Sequence, residues 1–147
     1  MAIETILTLQ ELEYCVDMYL EQNDNSFMEA SRGDACMSLL QAVRRHKFVR
    51  ILRGSGNIVA WIYADNVKLQ HQSHFNFQQL YYCSTLSGVR SVRAVADLHE
   101  AMFNSMPSNS KYCVSAGSHM DQANTFARIL EKHGWQRRGY LAVRPAG

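Results

Sequence analysis

The stretch LSGVRSVRAV, residues 86–95, sets the topology of this chain. It holds one glycine, two serines and two arginines. Before it, residues 74–84, HFNFQQLYYCS, are rich in aromatic residues and read as a strand. After it, Val89, Val92, Val95, Ala96, His99 and Met102 or Phe103 keep helical spacing, with Arg93 and Asp97 as an i,i+4 pair. The helix stops before Pro107, and KYCVSA, residues 111–116, reads as the next strand. Strand, short loop, helix and strand make a crossover unit, which implies a parallel strand pair. Two readings of the loop stay open: a cradle for a phosphate, or a plain turn into a helix.

Towards the C-terminus, Ser118 and Asp121 form a capping-box pattern. Phe126, Ile129, Leu130 and His133 line one helical face, and Gly134 is the expected residue just past the helix end. WQRRGYLAV, residues 135–143, reads as a closing strand. Towards the N-terminus, NIVAWIYAD and KFVRIL read as strands joined by the hairpin signal RGSGN. A helix is expected to start near Asp34, with Met37, Leu39, Leu40 and Val43 as its apolar face and Arg44, Arg45 and Lys47 at its C-terminal end. Thr8 and Glu11 form a capping box ahead of Leu9, Leu12, Val16, Tyr19 and Leu20, so residues 9–22 are a helix. AIETIL before it is a short strand. The expected order is β-α-α-β-β-β-α-β-α-β. That order predicts the α/β class: a single domain over residues 1–147, with a mixed central sheet and helices on both faces.

Composition excludes several functions. The 15 basic and 13 acidic residues leave a net charge of +2, too small to argue for nucleic acid. No apolar run approaches the roughly 20 residues of a membrane helix. The N-terminal stretch lacks a basic n-region, so a secretory leader is not expected. Cys15, Cys36, Cys83 and Cys113 are scattered without a CxxC pair, which predicts free thiols in a reducing cytoplasm. His71 and His74 form one HxxH pair with no second pair, so no metal site is expected. From Leu69 to Val89 there is no charged side chain. That stretch is either a strand buried in mid-sheet or, in part, the lining of a substrate groove.

The segment NTFARILEKHGWQRRGY, residues 124–140, resembles the late helix and strand of the GNAT superfamily of acyl-CoA-dependent N-acyltransferases, with Asn124, Glu131, Lys132, Gly134 and Trp135 matching in kind. With the strand order, the resemblance spans nearly the whole chain. It implies acetyl-CoA as co-substrate and direct transfer to an amine of a protein or small molecule. It implies that the loop after the central strand holds the pyrophosphate of coenzyme A through backbone N–H groups at a helix N-terminus. Carried over, Thr85, Gly88, Val89, Arg90 and Ser91 form that loop, Arg93 flanks it, and Asn124 adds to the cofactor site. A backbone N–H of Cys83 or Ser84 would polarise the acyl carbonyl.

This sequence departs from the family loop, Gln/Arg-x-x-Gly-x-Gly/Ala. With Gly88 as the first glycine, Thr85 and Arg90 fill the other two positions; in the alternative register Ser87, Arg90 and Val92 fill all three, the last two in place of both glycines. Arg90 and Arg93 either supply by charge what the missing glycines supplied by access, or are solvated on an outward face. Leu130 stands where the family often has an acid tyrosine, and Gln78 and Gln79 stand where a strand glutamate often serves as base. Tyr82, Tyr140, His74 and Cys83 are the substitute candidates. Compact GNAT-like proteins with such loops are familiar from bacteriophage genomes, which would put the chain in a host cytoplasm with a host protein as acceptor. A monomer or homodimer is expected. The rival reading is a binding module: a GNAT fold that has lost efficient catalysis and docks on another protein.

Overall fold

The computed structural model describes residues 2–22, 31–67, 76–105, 111–114 and 123–136. Their elements run β1 (Ala2–Glu4), α1 (Leu9–Gln22), α2 (Arg32–Arg44), β2 (Phe48–Gly54), β3 (Asn57–Val67), β4 (Asn76–Ser84), α3 (Gly88–Asn104), β5 (Lys111–Val114) and α4 (Ala123–Lys132). The strands form one mixed sheet in the order β1-β2-β3-β4-β5. The first three pairings are antiparallel and β4–β5 is parallel. This is the mixed α/β architecture that the element order predicts. The closing strand expected at residues 135–143 falls largely outside the described residues.

Local signals act where they stand. The Thr8 hydroxyl accepts from the Glu11 N–H at 3.1 Å, and the Glu11 carboxylate accepts from the Thr8 N–H at 3.1 Å, closing the reciprocal box that starts α1. The second Glu11 oxygen pairs with Arg53, whose Nε also donates to Glu4 at 2.8 Å. One guanidinium thus joins β1, β2 and α1, and it holds the Glu11 carboxyl below its ordinary pKa. Thr8→Ala removes one half of the box and should lower stability by about 1 kcal/mol in urea unfolding. An unchanged midpoint would show that Arg53 alone fixes this helix start. The β2–β3 hairpin turns through Ser55 and Gly56 at φ of 53° and 84°, the positive pair that a type I′ turn requires. At the end of α4, Trp135 N–H reaches back to Leu130 carbonyl at 3.2 Å and Gly134 N–H to Glu131 carbonyl at 3.2 Å. Gly134 has φ of 91°, so this is the glycine-closed helix end that the sequence signals.

Two cores lie on opposite faces of the sheet. One joins Leu12, Cys15, Val16 and Tyr19 of α1 and Leu39 and Ala42 of α2 to Val49, Ile51, Trp61 and Cys83. The other joins Ala94, Val95, Leu98 and Met102 of α3 and Leu130 of α4 to Phe48, Leu52, Ile62 and Tyr82. Among the described residues Cys15, Cys36 and Cys83 form no disulfide, and burial pushes the Cys15 thiol up to about 12. Among the described residues no helix is long and apolar enough to cross a membrane.

The inward faces of two helices match the sequence expectation only in part: Leu39, Leu40 and Val43 of α2 pack inward as expected. α2 starts two residues early, at Arg32, because the Ser31 hydroxyl caps it by accepting from the Asp34 N–H at 3.3 Å. Arg32 then clamps Asp17 of α1 through Nε at 2.7 Å. With α2 so anchored, Leu39 and Ala42 face inward and Met37 is exposed. On α3 the buried stripe is Ala94, Val95, Leu98, His99 and Met102, while Val89 is 77% exposed. Val95, His99 and Met102 of the expected stripe are buried, whereas the expectation includes the exposed Val89 and misses Ala94 and Leu98. His133, expected on the α4 face, is exposed in the turn past it. Arg93 and Asp97 form no ion pair among the described residues; both are exposed, and Arg N-terminal to Asp is the weaker order against the helix dipole.

Candidate functional site

The described β4–β5 ladder runs from Asn76↔Lys111 to Gln79↔Val114, while β4 continues to Ser84 with β3 alongside, Ala60 opposite Ser84. Ser115, the residue after β5, lies outside the described residues.

The turn out of β4 is pinned by one acceptor. The Val59 carbonyl of β3 accepts from the Thr85 N–H at 2.9 Å, the Thr85 hydroxyl at 3.2 Å and the Ser84 hydroxyl at 3.4 Å. The Ser84 hydroxyl in turn accepts from the Leu86 N–H at 3.1 Å. Ser87 then stands at the N-cap of α3 in extended conformation, with no side-chain bond to the helix. Gly88 follows at φ of 61°, a left-handed value that costs other residues roughly 1–2 kcal/mol. A Cβ there would meet nothing within 4 Å among the described residues. Gly88 is therefore required by backbone conformation and not by a close neighbour among the described residues.

The first backbone bond into α3 is from the Ser91 N–H to the Ser87 carbonyl, a long 3.4 Å. The N–H groups of Gly88, Val89 and Arg90 precede that ladder. α1 and α2 satisfy such donors with Thr8 and Ser31; α3 does not do so with Ser87. There is no acidic residue in the first turn of α3, and the exposed Arg90 and Arg93 add positive charge to the dipole. Of the two loop registers, the one with Gly88 first puts glycine where the left-handed backbone needs it.

The register also separates Cys83 from Ser84. Thr85 N–H points to β3, so by strand alternation Cys83 N–H does as well and Ser84 N–H points away. The Ser84 N–H is met by a side chain from far along the chain: Gln22 Oε1, at the end of α1, accepts from it at 3.2 Å. No local signal in the sequence marks Gln22, which stands at the last position of the expected helix over residues 9–22.

Tyr82 is 6% exposed and faces the α3–α4 core, its ring 5.3 Å from that of His99. Trp135 also meets the His99 ring, edge-on at 5.8 Å. His99 Nδ1 donates to the Val95 carbonyl at 2.8 Å. Burial lowers the His99 pKa to about 4 and raises that of the Tyr82 phenol, with the nearby Ser84 hydroxyl working against the latter. Tyr82 thus holds its proton and His99 stays neutral at pH 7. Leu130 is 5% exposed in the same core. Asn124 lies in the first turn of α4. Cys83 packs into the opposite core, on the α1 side. His74 and Tyr140 lie outside the described residues. Among the described residues no cluster of three metal-binding side chains occurs. A cavity of about 610 Å³ lies at the other end of the sheet, between Lys47–Arg50, Asp65 and Ser105, away from this loop.

No family model matches this sequence, and no curated protein does. Solved structures share the fold over the whole chain. An aminoglycoside acetyltransferase from an uncultured soil metagenomic sample is 16% identical with a TM-score of 0.64, covering 100% of both chains. A "predicted acetyltransferase" from Clostridium acetobutylicum, crystallised with acetyl-CoA, is 10% identical with a TM-score of 0.63, over 97% of this chain and 96% of its own. A GNAT family acetyltransferase from Staphylococcus aureus is 12% identical with a TM-score of 0.61, over 98% of each chain. At these identities the likeness is one of fold.

Proposed function

We propose that this chain is a GNAT-type N-acetyltransferase that uses acetyl-CoA and transfers the acetyl group directly to an amine of a protein or small molecule. The observation that carries the proposal is the uncapped start of α3: three N–H donors opened by a left-handed Gly88, next to Arg90 and Arg93 and directly after β4. Such a site suits a diphosphate by charge and by donor geometry.

The bound thioester supplies an activated acyl group. Gly88, Val89 and Arg90 hold the diphosphate through their N–H groups, with Thr85, Ser91 and Asn124 bordering it. The Ser84 N–H, the one turned away from β3, donates to the carbonyl oxygen and stabilises the charge that develops there. Fixing the amine beside that carbon supplies much of the rate. As the C–N bond forms and the C–S bond breaks, the nitrogen sheds its proton to water and Tyr82 or Tyr140 gives one to the departing sulfur, with His74 as a further candidate.

Arg90→Glu should weaken coenzyme A binding at least tenfold by calorimetry, since a charge-assisted contact contributes roughly 1.5–3 kcal/mol and each 1.4 kcal/mol is about tenfold. Equal affinity in wild type and Arg90→Glu would reduce the loop to a plain helix start. Turnover with amine acceptors then tests the enzyme reading.

Leu130 favours a second reading. Its buried alkyl side chain cannot deliver a proton, which suits a GNAT-fold protein that docks on a partner instead. Acetyl-CoA binding without acetyl transfer to any amine or cell-protein fraction would support it.

A further inference from the structure

We infer that Gln22 is a built-in stand-in for the acyl carbonyl, holding the Ser84 N–H until the acyl group displaces it. The inference rests on the acetyl-CoA reading above. It begins with the backbone: Thr85 N–H bonds to Val59 of β3, so the Ser84 N–H, one residue earlier, faces the opposite edge of β4. A donor left there needs a partner. Gln22 supplies it with a carboxamide oxygen at 3.2 Å, reaching from the last residue of α1.

A carboxamide oxygen and a thioester oxygen are both sp² acceptors approached in the carbonyl plane. One N–H cannot give a short, straight bond to both. Seating the acyl group therefore breaks the Gln22–Ser84 bond, whereas coenzyme A, which ends in a thiol, leaves it intact. The contact reads the presence of the acyl group. It also frees the C-terminal end of α1 from β4 only once the donor is loaded.

The test compares coenzyme A and acetyl-CoA by calorimetry on wild type, Gln22→Ala and Gln22→Glu. Gln22 is exposed at a helix end, so both variants change little else. In Gln22→Ala the ratio of the coenzyme A Kd to the acetyl-CoA Kd should rise about two- to tenfold, the range of one hydrogen bond. In Gln22→Glu the charge-assisted bond is harder to displace, so the ratio should fall; repulsion of the phosphates affects both ligands and cancels. An identical ratio in all three proteins overturns the stand-in and leaves the acetyl-CoA reading intact. Failure of the wild type to bind either ligand overturns both.

Discussion

Replacing Tyr82 and Tyr140 together with phenylalanine is expected to slow turnover at saturating acetyl-CoA by about 10²-fold, with the acetyl-CoA Kd unchanged. General acid–base assistance is typically worth roughly 10²–10⁴-fold. The lower end applies here because a thiol of pKa about 8.5 leaves tolerably as thiolate near neutral pH. With Leu130 in the core, proton return falls to another group or to water. Tyr82 retains its proton, because burial raises its phenol pKa, and its ring lies on the α3 side of β4, two residues before Ser84. Phenylalanine keeps the ring packing against His99, so the thermal midpoint controls for folding. Unchanged turnover in a folded double variant would remove both tyrosines from the mechanism.

Acid is expected to destabilise the fold through His99. The ring is 1% exposed and neutral, with a folded pKa of about 4 against an unfolded value of about 6.5. Between these values the unfolded chain binds the extra proton, so stability falls as the pH falls. The contribution is fully present above about pH 6.5, is lost progressively towards pH 4, and amounts to about 3 kcal/mol over that window. Urea unfolding from pH 7 to pH 4.5 should show a steeper loss for wild type than for His99→Phe, which keeps an aromatic ring against Tyr82 and Trp135 but cannot titrate. Parallel curves for the two proteins would place the acid sensitivity in the carboxylates. The same histidine explains why α3 tolerates a polar residue in its buried stripe: its Nδ1–H bonds back to Val95, four residues earlier, within the helix.

The sequence by itself determined the features that depend on neighbours within one helical turn or one hairpin. The Thr8–Glu11 box, the Ser55–Gly56 turn and the Gly134 helix end are local hydrogen-bond and φ requirements, and each stands where the residues signal it. The strand–loop–helix unit after residue 76 was legible for the same reason, and with it the mixed sheet and the glycine at the start of α3. Tertiary structure alone decided the rest. The inward faces of α2 and α3 follow from where each helix is anchored, so Met37 and Val89 point outward although the periodicity admits them inward. β2 buries residues on both faces and carries a bulge at Leu52 and Arg53, which erases the simple alternation that periodicity reads. The choice between Cys83 and Ser84 needed the β3–β4 register, because composition does not say which way an N–H points. Gln22 and Ser84 are 62 residues apart, and Arg53 lies 49 and 42 residues from Glu4 and Glu11. No local pattern encodes such pairs; they form only when packing on both faces of the sheet brings α1, β1 and β4 into their final places.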